Sequence, residues 1–131
     1  METFFPSDSG RDVLILLVED ERVSRKALGR LLADQGYTTE TVGTAEEAVA
    51  IVSVGQRPAI ALVDLDLPGM SGAQLLEYLN QKAPETKTVL GTAACKERVA
   101  DLTDHAAVRY IRKPIDFKRL LRTIDESAAT N

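Results

Sequence analysis

The chain predicts an α/β fold in which a five-stranded parallel sheet carries helices on both faces. Three observations predict it. Short, unbroken, β-branched apolar runs recur along the chain, the segments between them switch to helical spacing, and cap and turn residues punctuate the switches.

The opening stretch, 1–11, holds Pro6, Ser7, Asp8, Ser9 and Gly10 without periodicity and reads as a flexible leader. The domain is expected over 12–127, with 128–131 as a C-terminal tail. Its first strand, 13–18, is apolar at every position, the pattern of a strand covered on both faces. Val23, Ala27, Leu28, Leu31 and Leu32 follow at helical spacing and stop at Gly36, a residue suited to a left-handed cap. A weaker, edge-like strand is expected over 38–42. Thr44 with Glu47 three residues on forms a capping box ahead of Ala45, Ala48, Val49 and Val52, and Gly55 ends that helix. The run 59–63 is the third strand, and Leu75, Leu76 and Leu79 form a helical stripe behind Ser71. The run 88–92 is the fourth strand. Residues 96–104 suit a short helix anchored by Val99 and Leu102, 107–111 a fifth strand, and Phe117, Leu120, Leu121 and Ile124 a last helix with Asp116 as N-cap. Five alternations of strand and helix, joined by right-handed crossovers, make a parallel sheet between helical layers.

Composition narrows the function classes. A length of 131 residues suits one core, and 44% hydrophobic with 27% charged residues is globular composition. Sixteen Lys and Arg against twenty Asp and Glu leave a net charge of −4, which argues against direct nucleic-acid binding by this chain. No apolar run approaches the roughly 18 residues of a membrane span. The single Cys95 has no internal disulfide partner, and a cytoplasmic setting with no membrane contact is expected. Cys95 is expected to be inert and His105 to face solvent.

Ligands of open parallel sheets bind at the carboxyl ends of the strands. Here the first strand runs into Glu19, Asp20 and Glu21, the third into Asp64 and Asp66, the fourth ends at Thr92, and Lys113 and Pro114 follow the fifth. Two like charges about 4 Å apart cost roughly 4 kcal/mol at an effective dielectric of 20. A hard divalent cation relieves that cost, and oxygen ligands without His or Cys select Mg²⁺. With a Lys ammonium and a Thr hydroxyl at the same rim, the set suits a phosphoryl group. Taken alone, the side chains of Glu21 and Asp66 read as solvated loop charges.

These residues resemble the receiver domain of two-component response regulators, including the single-domain chemotaxis regulator. The match lies in Val18-Glu19-Asp20-Glu21, in Val63-Asp64-Leu65-Asp66-Leu67-Pro68-Gly69-Met70-Ser71-Gly72, in Thr92-Ala93 and in Tyr110-Ile111-Arg112-Lys113-Pro114, over roughly residues 13 to 126. The resemblance implies a flavodoxin-like, doubly wound sheet of order 2-1-3-4-5. It implies that Asp64 accepts a phosphoryl group from a phosphohistidine donor. Glu19, Asp20 and Asp64 would hold Mg²⁺ with the backbone carbonyl of Asp66, Lys113 and Thr92 would bind the phosphoryl oxygens, and Tyr110 would switch rotamer with Thr92. It also implies a cis Lys113–Pro114 bond, and places Asp66 and Ala94 where the family tunes loss of the phosphoryl group to water. Two positions depart from the family pattern: Glu19 stands where Asp is frequent, and Ala106-Ala107 where Gly-Ala is frequent.

The implied partners are a sensor histidine kinase or histidine phosphotransfer protein, and a downstream effector or attached output domain. A surface of the family's fourth helix, fifth strand and fifth helix would bind the latter or a second copy. Arg109, Arg112, Lys113, Lys118, Arg119 and Arg122, against Asp116 alone between 109 and 122, make that region basic, and Asp101 and Asp104 could pair with it. The chain is expected to be no turnover enzyme beyond assisting its own phosphorylation and dephosphorylation. A degenerate receiver acting only as a binding module is an alternative, although the key positions are filled. Asp64-Leu65-Asp66 also resembles the start of Asp-nucleophile phosphatases, but Leu67-Pro68 follows instead of Gly and Thr or Val. An FMN carrier would need a Ser-, Thr- and Gly-rich loop where Glu-Asp-Glu stands.

Overall fold

In the computed structural model the described residues are 13–93 and 109–129. The strands are β1 (Leu14–Val18), β2 (Thr38–Val42), β3 (Ile60–Asp64), β4 (Lys87–Thr92) and β5 (Arg109–Arg112). The helices are α1 (Arg22–Asp34), α2 (Ala45–Ser53), α3 (Gly72–Lys82) and α4 (Phe117–Ala129). All strand pairs are parallel, in the order β2-β1-β3-β4-β5. The expected sheet and its order are therefore present. The helix expected over 96–104, the leader, Ala94, Cys95, His105 and the Ala106-Ala107 turn lie outside the described residues, as does the end of the tail.

The continuous apolar runs follow from two-sided burial. In β1, Leu16 and Val18 join Ala45, Ala48, Leu75, Leu76 and Leu79 in a core under α2 and α3. Ile15 and Leu17 point the other way and pack with Leu28, Leu32, Leu120 and Ile124 of α1 and α4. β3 divides its side chains likewise, so its five residues are all buried. β2, at the edge, has no fully buried position.

The caps behave as their chemistry dictates. Thr44 and Glu47 form the expected capping box, Ser71 and Gln74 form a second, and the Asp116 carboxylate accepts from the N–H groups of Lys118 and Arg119. Gly36, after α1, has φ of 95°, as a left-handed cap requires. Two apolar residues depart from their expected faces: Val23 is 71% exposed and Phe117 47% exposed. Val23 and Ala27 lie four residues apart on a flank of α1, whereas the sheet-facing row is Leu28 and Leu32. With Pro114, Ile115 and Phe117 they border a notch beside Glu19 and Lys113.

Candidate functional site

Glu19 is the first residue past β1, and its N–H donates to the Val42 carbonyl (3.1 Å), so the strand pairing runs to the residue that bears the carboxylate. Asp64 is the last residue of β3, and the next N–H, of Leu65, donates to Gly91 O (2.9 Å). The backbone on both sides of Asp64 is thus held in the sheet. The two carboxylates end up almost out of water, at 4% exposure for Glu19 and 5% for Asp64. Asp20, the exposed neighbour, completes a cluster in which one carboxylate oxygen of each residue lies within 4.8 Å of the others.

Lys113 reaches this cluster from the far side of β4. Its N–H donates to Thr92 O (2.8 Å), and its stem passes Gly91, where an added Cβ would meet Lys113 Cε at 3.8 Å. Its ammonium lies 3.0 Å from Asp64 Oδ2 and 3.8 Å from Glu19 Oε1. Asp64 Oδ1 accepts from the Asp66 N–H (3.0 Å), and Glu19 Oε2 from the Glu21 N–H (3.0 Å). The Lys113–Pro114 bond is cis.

The electrostatics record the crowding. Burial raises the Glu19 carboxyl above its ordinary range, and the charges of Asp64 and Asp20 add to it, against the pull of the Glu21 N–H and Lys113. Partial burial works against the Lys113 ammonium, but its hydrogen bond to Asp64 and the charges of Asp64, Glu19 and Asp20 prevail and raise its pKa. Among the described residues, one ammonium beside three carboxylates leaves the cluster net negative. It therefore fits a small hard cation with oxygen ligands, whose charge would complete the neutralisation.

Of the expected site residues, Glu19, Asp20, Asp64 and Lys113 are together, and Thr92 closes β4 with no exposed surface. Tyr110 is half-buried and packs against the core under α2 and α3. The Asp66 carboxylate is exposed and outside the carboxylate cluster. Glu21 is exposed but has a task that a solvated loop charge does not capture. It is the N-cap of α1, accepting from Ser24 N (2.8 Å) and Val23 N (3.4 Å), and the Ser24 hydrogen bonds hold its carboxyl below the ordinary range. In the basic region Arg109 pairs with Glu126 at 3.3 Å, while Asp101 and Asp104 lie outside the described residues.

Two positioning residues escape a local reading of the sequence. A Cβ at Gly72 would sit 2.5 Å from Asp64 O and 2.7 Å from Leu65 Cα, so only glycine lets the start of α3 rest on the strand end that carries Asp64. Glu46, in the first turn of α2, accepts from the Met70 N–H (3.1 Å) and holds the loop leading from Asp64 into α3. The Ser71-Gly72 pair marks the start of α3 in the sequence, but the close approach that demands glycine there is seen only in the fold. Nothing local marks the second, because it joins residues 24 apart.

A doubly wound sheet with an acidic pocket and a lysine at its carboxyl rim defines a class of phospho-accepting signalling domain. Residues 15–125 match the response regulator receiver domain, and the chain belongs to that family. A response regulatory protein of Vibrio cholerae is 33% identical over 112 residues, covering 83% of this chain and 46% of the relative. The transcriptional regulatory protein TcrA of Mycobacterium tuberculosis is 36% identical over 110 residues, covering 82% of this chain and 43% of the relative. The chain thus spans less than half the length of these curated relatives. A CheY-like receiver domain from Methanospirillum hungatei has a TM-score of 0.82 at 29% identity, covering 89% of this chain and 94% of that one. The response regulator TrrA of Thermotoga maritima, solved in complex with Mg²⁺-BeF, has a TM-score of 0.78 at 29% identity, covering 88% of this chain and 98% of that one. Receiver domains bind Mg²⁺ at an acidic pocket, act as phospho-accepting switches, and as parts of response regulators interact with histidine kinases and effectors. Among the described residues no helix is long and apolar enough to cross a membrane.

Proposed function

We propose that this chain takes a phosphoryl group from a phosphohistidine on a sensor kinase or phosphotransfer protein onto Asp64, and that this changes its surface for a downstream effector, an attached output domain or a second copy. The observation that carries the reading is the Asp64 carboxylate, buried at a strand end, beside two further carboxylates and 3.0 Å from Lys113. An Asp64 oxygen bonds to phosphorus while the bond from phosphorus to the histidine nitrogen breaks, its electron pair staying with the imidazole. Glu19, Asp20 and Asp64, with the Asp66 carbonyl, hold Mg²⁺, which when bound neutralises charge on the phosphoryl oxygens. Lys113 shifts from Asp64 to a phosphoryl oxygen, and the Thr92 hydroxyl donates to another. The added charge of about −1.5 to −2 repositions the Thr92 hydroxyl toward the phosphoryl group and biases Tyr110 toward a second rotamer. The functional unit is the segment 12–127, working in the cytoplasm.

Intact-protein mass after incubation with acetyl phosphate tests the reading. A gain of one phosphoryl group is expected that needs Mg²⁺ and is absent in Asp64→Asn. Folded wild-type protein that binds Mg²⁺ yet gains no mass would favour a binding module that works without phosphorylation.

A further inference from the structure

The three carboxylates of the cluster are not held alike. Glu19 accepts from the Glu21 N–H and faces Lys113, and Asp64 accepts from the Asp66 N–H and pairs with Lys113. Asp20 is exposed, and among the described residues no hydrogen bond or ion pair holds its carboxylate. The Cα–Cβ bond from which it swings is set by its backbone.

That backbone has a clamp. Arg25, on the second turn of α1, donates from Nη1 to Glu19 O (2.9 Å) and to Asp20 O (3.4 Å). These are the carbonyls of the two peptide groups on either side of the Asp20 Cα, so one guanidinium restrains both backbone torsions that place the Asp20 Cβ. Both bonds leave from one nitrogen, Nη1, whose two N–H groups serve the two carbonyls. The clamp has a seat at the end of β2. A Cβ added to Gly43 would lie 2.9 Å from Arg25 Nη1 and 3.6 Å from Cζ. The obstructing atom is the far end of a flexible side chain, so a methyl group there would displace the guanidinium and leave the backbone fold in place.

We propose that Arg25 is the positioning residue of Asp20, holding its carboxylate for the divalent cation, and that position 43 is glycine because Arg25 occupies the space its side chain would fill. The inference rests on the reading of the acidic cluster as an Mg²⁺ site. Groups that orient metal ligands change affinity by about 10–100-fold when removed.

Titration calorimetry with Mg²⁺ on the full chain tests it, with thermal melts in EDTA to follow folding separately. Arg25→Ala is expected to weaken Mg²⁺ binding about tenfold, and Gly43→Ala to weaken it in the same direction with an unchanged melt in EDTA. The double variant is expected to bind no more weakly than Arg25→Ala, because without the guanidinium the new methyl group displaces nothing. Arg25→Lys, whose ammonium has donors for both carbonyls but whose stem is one atom shorter, should restore part of the affinity. Single variants within twofold of wild type, or a double variant whose loss is the product of the single losses, would overturn the inference alone. Wild-type protein that binds no Mg²⁺ would overturn the metal-site reading and this inference with it.

Discussion

The two ends of the sheet handle charge in opposite ways. At the amino ends of the strands, Arg57 pairs with Glu85 at 3.5 Å, Lys87 Nζ donates to Ser127 O at 3.2 Å, and the buried Thr86 hydroxyl donates to Pro58 O at 2.7 Å. Charges there are balanced or solvated, and the buried polar group has its partner. At the carboxyl ends three carboxylates converge on one ammonium, two of them nearly buried. Both rims are built from the same strands, so the sheet does not impose the difference. One rim serves stability, whereas the other holds like charges together, as function-bearing sites commonly do at a cost in stability.

Urea denaturation in EDTA, followed by circular dichroism, can break this comparison. The largest effect is expected from Thr86→Val at the amino rim. It leaves the Pro58 carbonyl without its hydroxyl donor and should cost about 1–3 kcal/mol, with or without Mg²⁺. A loss that Mg²⁺ restores would mean that the two rims are not independent.

Glu19→Gln at the carboxyl rim should have the opposite sign and stabilise the metal-free protein by about 1 kcal/mol. The amide can still accept from the Glu21 N–H, while the buried charge is gone. The pH dependence follows from the raised Glu19 pKa. A carboxyl whose folded pKa is raised contributes stability that is complete below its unfolded value, near 4.3, and is lost as pH rises through the folded value. The advantage of Glu19→Gln should therefore be absent below about pH 4 and present at neutral pH. Saturating Mg²⁺ should reverse the order of the two proteins, because a ligand that binds the folded state better stabilises it more. A destabilised Glu19→Gln at neutral pH in EDTA would show that the carboxyl rim is not under charge strain.

The smallest effect is expected from Glu85→Gln, which removes an ion pair whose side chains are 42% and 59% exposed. It should change stability by less than about 0.5 kcal/mol, and a larger loss would show that the amino rim depends on that pair.

What the sequence made legible was local or periodic. The unbroken run before Glu19 marked a two-sided strand, Thr44 and Glu47 a helix start, and Gly36 a helix end, because each depends on neighbours a few residues away. Asp64, Glu19, Asp20 and Lys113 were legible as a group because strands of a parallel sheet deliver their carboxyl ends to one rim. The exposure of Val23 and Phe117 was not, since helical spacing identifies an apolar stripe but not which edge of it faces the sheet. Contacts across the fold were also hidden. Arg25 against Gly43 depends on β1 lying beside β2, and Glu46 against Met70 on the start of α2 meeting the loop before α3. Glu21 as an N-cap was hidden for a different reason: Ser, Thr, Asp and Asn are the usual caps, and a Glu among other acids reads as part of the charge cluster.

Gly72 carries a consequence for how such a domain can diverge. Because a single methyl group there would collide with the carbonyl of Asp64, a library randomised at this position should return glycine alone among clones that fold with α3 in place. The spacing between α3 and β3 then behaves as an inherited constant. Change elsewhere on this scaffold is absorbed by side chains, while at position 72 the strand end that bears Asp64 leaves no room for one.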